Sequence, residues 1–428
     1  MRITAVKEGT RAFTLRSIRT ELARRLGQEL LRSIRIGSLL LEENGHVQHF
    51  GQAREKASIE AYIRVCDEAA WLALLEGGSV GAGEAYMRGH WDTPDLVRVV
   101  RLMVLNMEVL YRMQDHQPWW QRLAAKLFHV SRRNTLQKAR QNISAHYDLS
   151  NAFFAQMLDP TMAYSAGIFQ QDDESLQTAS TRKFDHICRR LQLSDKDHLL
   201  EIGTGWGGLA IHAAKHYGCR VTSTTLSREQ LQYAQEWVAR EGLQDRITLL
   251  QQDYRELEGQ YDKLVSVEMI EAVGAQYYDA YFAQCNRLLK PEGLMLIQAI
   301  TISDQRYAQS VRSTDFIKRY IFPGGQLPSN AVIADHVARH TDMQLIGLED
   351  MTHDYARTLH AWRQRFHAAL PVIRSHGADD LFIRMWDYYL CFCEGGFLER
   401  VIHTAQFLLA KPAFRHLPYL KTDPLPTP

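Results

Sequence analysis

Between residues 180 and 302 the chain alternates short, wholly apolar runs with longer amphipathic ones. The runs DHLLEIG, RVTSTTL, RITLLQQDY, YDKLVSVEM and GLMLIQAIT are strand-length and end in Gly, a hydroxyl residue or an acid. Between them GLAIHAAKHY, SREQLQYAQEWVAREG and YYDAYFAQCNRLL repeat their apolar positions at helical spacing. Strands alternating with helices predict an α/β fold with a doubly wound, Rossmann-like, mostly parallel sheet whose ligands sit at the carboxyl ends of its strands. Upstream, Leu15, Ile18, Leu22, Leu26, Leu30 and Leu31 fall on one side of a helix with arginines opposite. Residues 36–115 read as a small α+β module, with turn chemistry in GSVGAGEAYMRGHWDTPDL. Residues 305–428 return to helical patterns broken by the loop IFPGGQLPS, a lid and flank rather than a separate domain. The predicted organisation is 1–116, a basic amphipathic helix with a smaller α+β domain; 117–145, a linker; and 146–428, the α/β domain with its helical lid and flank.

Charge sharpens the N-terminal part. The 428 residues carry a formal net charge of +1, yet residues 1–40 hold nine Arg or Lys against three acids. Residues 117–146 hold six basic residues and no acid, with Trp119 and Trp120 beside Arg122, Lys126, Arg132, Arg133, Lys138 and Arg140. Tryptophan pairs beside cations suit an anionic lipid interface; nucleic acid and a plain solvated helix are the alternatives. The most apolar helical stretch, 96–112, is interrupted by Arg98, Arg101 and Glu108 and fails as a membrane span, so contact with a membrane is expected from the side. Six cysteines without a paired C-x-x-C, and no secretory leader, predict reduced thiols in a cytoplasm. No His cluster with metal spacing stands out, and Cys391 and Cys393 make no useful metal pair, so no metal is expected.

LLEIGTGWGG, residues 199–208, points to a nucleotide. Gly203, Gly205 and Gly208 satisfy G-x-G-x-x-G, which fits a dinucleotide or a sulfonium nucleoside. A dinucleotide enzyme needs an acid ending the second strand for the ribose hydroxyls, but that strand ends VTSTTLSREQ, and Glu229 lies inside the next helix. Glu201, Trp206, and an Asp253 placed to receive an adenine amino group favour S-adenosylmethionine instead.

The segments AHYDLSNAFFAQMLDPTMAYSAGIF (145–169), LLEIGTGWGGLA, TTLSREQ, YDKLVSVEMIEAVG, RYIFPGGQLPS and DYARTLHAWRQRF, in this order and spacing, resemble the cyclopropane fatty-acyl-phospholipid synthases, strongly over 140–410. The resemblance implies an S-adenosylmethionine-dependent methyltransferase domain and addition of a methyl-derived carbon to a cis double bond of a phospholipid acyl chain through a carbocation. Such chemistry needs a dry channel, an electron-rich wall and a base; in the family that base is a bound bicarbonate. It also implies that Tyr164, Ser165, Glu201, Gly203, Thr204, Gly205, Gly207, Thr225, Leu226, Gln230, Asp253 and Tyr254 line the cofactor. Glu271 matches the family's glutamate and Tyr355 its tyrosine; Cys393 matches a cysteine once proposed as a nucleophile, a role the reaction does not need. Ala166, Glu271, Gln298, Ile300 and Tyr355 would form the anion and base pocket.

The departures bear on the product. Where the family reads Tyr-Ser-Cys the chain has Tyr164-Ser165-Ala166; its Glu-His is Glu271-Ala272, and its Leu-His-Thr-Ile is Ile297-Gln298-Ala299-Ile300. Gln298 can donate to an anion but cannot carry a proton. The cation-forming half looks intact and the deprotonating half rebuilt, so the alternatives are a cyclopropane and a methylene- or methyl-branched chain of the tuberculostearate type. A soluble acceptor and a non-catalytic lipid-binding relative are the rival functions. The resemblance further implies an unsaturated phospholipid as partner, a peripheral position on the anionic inner face of the membrane, a homodimer, no nucleic acid, and a separate reductase for a saturated branched product.

Overall fold

The computed structural model describes residues 18–107 and 151–415. The basic, Trp-bearing linker and Leu15 lie outside the described residues. Compactness divides the chain into Met1–Arg132 with Arg312–Pro323 and Leu359–Ile402, and Arg133–Val311 with Gly324–Thr358 and His403–Pro428.

The first unit is built on a four-stranded sheet in the order β2-β1-β3-β4: Ser38–Glu43 (β1), His46–Gly51 (β2), Glu60–Val65 (β3) and Trp91–Asp92 (β4). Asn44 and Gly45, both with positive φ, close the β1–β2 hairpin, as an Asn-Gly pair favours. Leu39 and Leu41 of β1 enter the core, against the helices Ala69–Met87 and Leu96–Leu105. Asp95 caps the second of these by accepting from the Arg98 amide. The helix Asp380–Leu398, expected in the catalytic half, belongs to this unit: Asp387 accepts from the Tyr86 hydroxyl at 2.6 Å and Glu399 from Arg101. A nearly apolar cavity of about 140 Å³ remains inside, bounded by Leu41, Trp71, Trp91, Val100 and Phe392.

The helix over residues 18–31 departs from its predicted orientation. Its buried face is Thr20, Ala23, Gly27 and Leu31, while Ile18 and Leu22 are 59% and 55% exposed. The Trp71 ring decides this. It lies so close to Gly27 that a Cβ there would stand 2.6 Å from the ring, and the small-residue face docks while Ile18 and Leu22 turn outward and Leu26 and Leu30 stay half-buried.

The second unit contains a seven-stranded sheet in the order β10-β11-β9-β8-β5-β6-β7. Its strands are His198–Ile202 (β5), Arg220–Thr224 (β6), Ile247–Leu250 (β7), Tyr261–Val267 (β8), Leu289–Ile302 (β9), Gln344–Asp350 (β10) and Ile402–Ala410 (β11). From β7 to β9 the pairs are parallel, and β10 is antiparallel to β11. Adjacent residues feed opposite faces: Leu200, Leu264 and Ile297 pack with Phe282, whereas Leu199, Val265 and Leu296 pack with Leu209 and Ile211. Burial on both faces is why these strands read as unbroken apolar runs. From β5 the chain winds outward to β6 and β7, then returns to β8 on the other edge of β5; this reversal opens the crevice.

On the Phe282 face the helix Tyr278–Leu288 packs beside Asn330–His340. Asp279, His336 and His340 present one ligand atom each, all within 4.8 Å of one another. The two histidines are one helical turn apart, a readable spacing; the acid lies 57 residues before His336, on another helix, and was not legible.

Gly27→Val should destabilise the first unit by about 1–3 kcal/mol, the usual cost of overpacking. Chemical denaturation followed by tryptophan fluorescence measures it, and an unmoved midpoint would show that the helix does not rest on Trp71.

Candidate active site

The carboxyl ends of β5, β6 and β8 border a cavity of about 200 Å³. Its floor is the glycine turn. The amides of Gly203 and Thr204 both donate to the Thr224 carbonyl at 3.0 Å, binding the end of β5 to the end of β6. Gly207, with φ of 96°, caps the helix Gly208–Tyr217, and a Cβ on Gly208 would lie 2.5 Å from the Thr161 carbonyl. A Cβ on Gly205 would meet nothing within 4 Å and would project into open space at the cavity wall. That unfilled volume over a tight turn is the cradle a nucleoside needs.

All but one of the residues expected to line the cofactor border this cavity: Tyr164 and Ser165, Glu201 and Gly203 to Gly205 in the turn, Thr225, Leu226 and Gln230 after β6, and Asp253 and Tyr254 after β7; Gly207 caps the following helix and is not part of the lining. Thr225 donates to the Gln230 carbonyl oxygen at 3.1 Å, and Ser227 caps the helix Arg228–Arg240. Asp253 is more committed than expected. Arg255 clamps both its oxygens, at 2.8 and 2.7 Å, leaving only the remaining lone pairs for a ligand. Trp206 hydrogen-bonds Asn151 and packs on Phe154, fixing the helix Asn151–Met157 beside the turn. Glu201 is buried; Ser223 donates to it, and burial pushes its carboxyl up to about 8.

The polar cluster around Ala166, Gln298 and Tyr355 is organised by Glu268, which the motifs do not single out. Glu268 follows β8 directly and holds a positive φ of 50°. One carboxylate oxygen accepts from the Ala166 amide at 3.0 Å and the Gln298 side-chain amide at 2.8 Å; the other accepts from the Tyr355 hydroxyl at 2.7 Å. Gln298 is held in turn by Gln406, which donates to its carbonyl oxygen at 3.0 Å. Burial raises the Glu268 carboxyl, opposed by these donors and by Lys183.

Three of the five groups expected to hold an anion therefore already hold the chain's own carboxylate. Bicarbonate does not fit as the residues stand, because the Ala166, Gln298 and Tyr355 donors are spent on Glu268. The other two, Glu271 and Ile300, pair with each other. Glu271 lies in the turn Ile270–Ala272, accepts the Ile300 amide, does not line the cavity, and has a second oxygen that is buried without a partner. Burial and the neighbouring Glu268 push its carboxyl up to about 8. The expected partnership of Glu271 with Tyr355 is thus replaced by Glu268 with Tyr355. The left-handed backbone at position 268 makes the exchange, and spacing alone does not reveal it.

Lys183 is the second missed residue. It is wholly buried on the inner face of the helix Leu176–Arg190, donates to Ser165 Oγ and lines the cavity. Burial lowers its ammonium to about 8, with Glu268, Asp159 and Glu201 pulling the other way. Its signal was present in the sequence: a cation four residues from both Ala179 and Ile187, on an apolar stripe. Cys393 stands in the first unit, half-buried, its thiol pushed up by burial, and no cysteine lines the cavity among the described residues.

The profile of the mycolic acid cyclopropane synthetase family matches residues 134–407. The chain is 39% identical to the cyclopropane-fatty-acyl-phospholipid synthase of Escherichia coli over 357 residues, 83% of this chain and 89% of that one. It is 38% identical to the tuberculostearic acid methyltransferase UfaA1 of Mycobacterium tuberculosis over 342 residues, 78% of this chain and 79% of that one. The crystal structure of mycolic acid cyclopropane synthase CmaA1 complexed with SAH and CTAB superposes with a TM-score of 0.59 at 30% identity, covering 64% of this chain and 98% of that one.

Glu271 also sets a pH dependence. An acid raised from 4.5 to about 8 keeps its proton in the folded state after the unfolded chain has lost it. Its stabilising contribution is complete below pH 4.5 and lost as pH rises to about 8. The ligand-free protein should lose stability over that interval, and Glu271→Gln should flatten the fall; denaturation curves at stepped pH measure it, and an equal slope in the variant would show Glu271 already ionised.

Proposed function

The chain belongs to the mycolic acid cyclopropane synthetase family, and from that premise we propose that it adds a methyl-derived carbon to the double bond of an unsaturated phospholipid acyl chain, with Glu268 as the base. It is an S-adenosylmethionine-dependent methyltransferase. When bound, that cofactor supplies an electrophilic methyl group on a sulfonium. The chain's residues then have two tasks: to keep water from the cation formed on the acyl chain, and to remove one proton.

The observation that carries this reading is the convergence of Ala166, Gln298 and Tyr355 on Glu268. A carboxylate at the end of β8 occupies the place of a diffusible anion. It accepts the proton lost when the added methyl becomes a methylene carbon, and Tyr355 and Gln298 stabilise its ionised form beforehand. Ring closure requires that proton to leave as the methyl bends over the cation. A base fixed through its own backbone cannot follow that movement, which gives a hydride time to shift first and favours the methylene-branched product over the ring.

The first unit supports a membrane lipid rather than a soluble acceptor. Ile18 and Leu22, one turn apart and exposed, share their helix with exposed Arg19 and Arg25. That surface suits shallow insertion among anionic headgroups, and no helix of the described residues is long and apolar enough to cross a membrane.

Incubation with S-adenosylmethionine and vesicles of monounsaturated phospholipid should add one carbon and two hydrogens per chain, with olefinic protons of a methylene group in the spectrum; ring protons instead would assign a cyclopropane. Glu268→Gln should retain cofactor binding and lose at least about a hundredfold in turnover, the lower range for a general base. Survival of most activity would move the base elsewhere. Separately, Ile18→Glu with Leu22→Glu should weaken sedimentation with anionic vesicles at low salt; unchanged sedimentation would remove this helix from the membrane surface.

A further inference from the structure

We propose that Asp279, His336 and His340 form a binding site for a divalent transition-metal ion of the zinc class, which would cross-link the helices Tyr278–Leu288 and Asn330–His340. The cluster belongs to neither the cofactor cavity nor the Glu268 network. His336 and His340 are four residues apart, so their imidazoles leave one face of one helix, the arrangement by which paired histidines hold zinc. Asp279 reaches them from the first turn of the neighbouring helix.

Its Oδ1 lies 2.7 Å from His336 Nδ1 and 3.0 Å from His340 Nε2. Neither nitrogen, though buried, makes an aligned hydrogen bond. Two imidazole nitrogens and a carboxylate oxygen that converge without an aligned hydrogen bond make a donor set that a cation can join. Four-coordinate zinc with bonds of about 2.0–2.1 Å holds its ligand atoms about 3.3 Å apart, so the exposed Asp279 carboxylate would draw back by a few tenths of an ångström from its 2.7 and 3.0 Å contacts to admit the ion.

The surroundings prepare the rings. Tyr278 meets the His336 ring edge-on at 5.6 Å between centroids, and Phe282 stacks on it at 6.2 Å. The Asp279 side chain is 59% exposed, so an ion can enter from solvent. Two nitrogens and one oxygen select zinc, cobalt or nickel over magnesium or calcium, and three protein ligands leave a position for water or a small anion.

The test uses the full chain, freed of metal with a chelator and titrated with Zn²⁺ and Co²⁺. One saturable equivalent is expected, and the cobalt form should show visible ligand-field bands without a thiolate charge-transfer band, which separates this site from the exposed Cys66. His336→Gln with His340→Gln should weaken binding at least about tenfold, since loss of even an outer partner does so, and should abolish the rise in unfolding temperature that Zn²⁺ gives the parent. Equal binding in the double variant, a thiolate-dominated cobalt spectrum, or no saturable site would overturn the proposal. So would a double variant of lower stability whose parent shows no response to Zn²⁺, the behaviour of a plain His–Asp ion pair.

Discussion

The site depends on holding one carboxylate half-buried in the wall of the cavity, with few waters to solvate it. An unpaired ionised carboxylate would not survive such burial, because its desolvation far exceeds what neighbouring apolar atoms return. Glu268 is offset by donors from three separated segments, namely the backbone before the helix Leu176–Arg190, strand β9, and the helix Thr352–Ala368. Each donor fixes the position of the segment that carries it. The left-handed backbone at Glu268, of order 1–3 kcal/mol for a residue with a side chain, is the strain these bonds retain. In return the carboxylate is aimed across the crevice rather than along β8.

Arginine clamps on Asp253 and the Ser223 hydroxyl on Glu201 treat the cofactor side in the same way. These acids are oriented before a ligand arrives, so binding need not reorder them. A preorganised polar wall stabilises developing charge without reorganising at the moment of reaction.

The sheet was legible because its strands are buried on both faces, which leaves unbroken apolar runs, and because the glycines mark a backbone that other residues cannot follow. Most residues that border the cavity were legible for the same reason: those of the turn and those after β6 and β7 sit at strand ends, whose positions alternation fixes. The polar cluster was not, since both Glu268 and Glu271 end the same apolar strand in sequence and only the local φ decides which enters the cavity. Lys183 was visible in principle as a cation on an apolar stripe. The outward turn of Ile18 and Leu22 was hidden, because periodicity identifies a face but not which face a distant tryptophan will accept. The C-terminal helices posed a similar problem: their partners in the first unit lie about 300 residues upstream.

Charge balance joins the two halves of the cavity. Lys183 stands in the electrostatic reach of Glu201, Glu268 and Asp159, and its ammonium, lowered to about 8, gives up its proton more readily than an exposed lysine. In the proposed reaction the residues of this enclosure would face a sulfonium when the cofactor is bound and a cation on carbon until one proton is removed. A second fixed cation beside it would oppose both stages. Glu201, Glu268 and Asp159 lie within electrostatic reach of that ammonium, so the enclosure carries carboxylate charge to set against a cation on either side of the transfer.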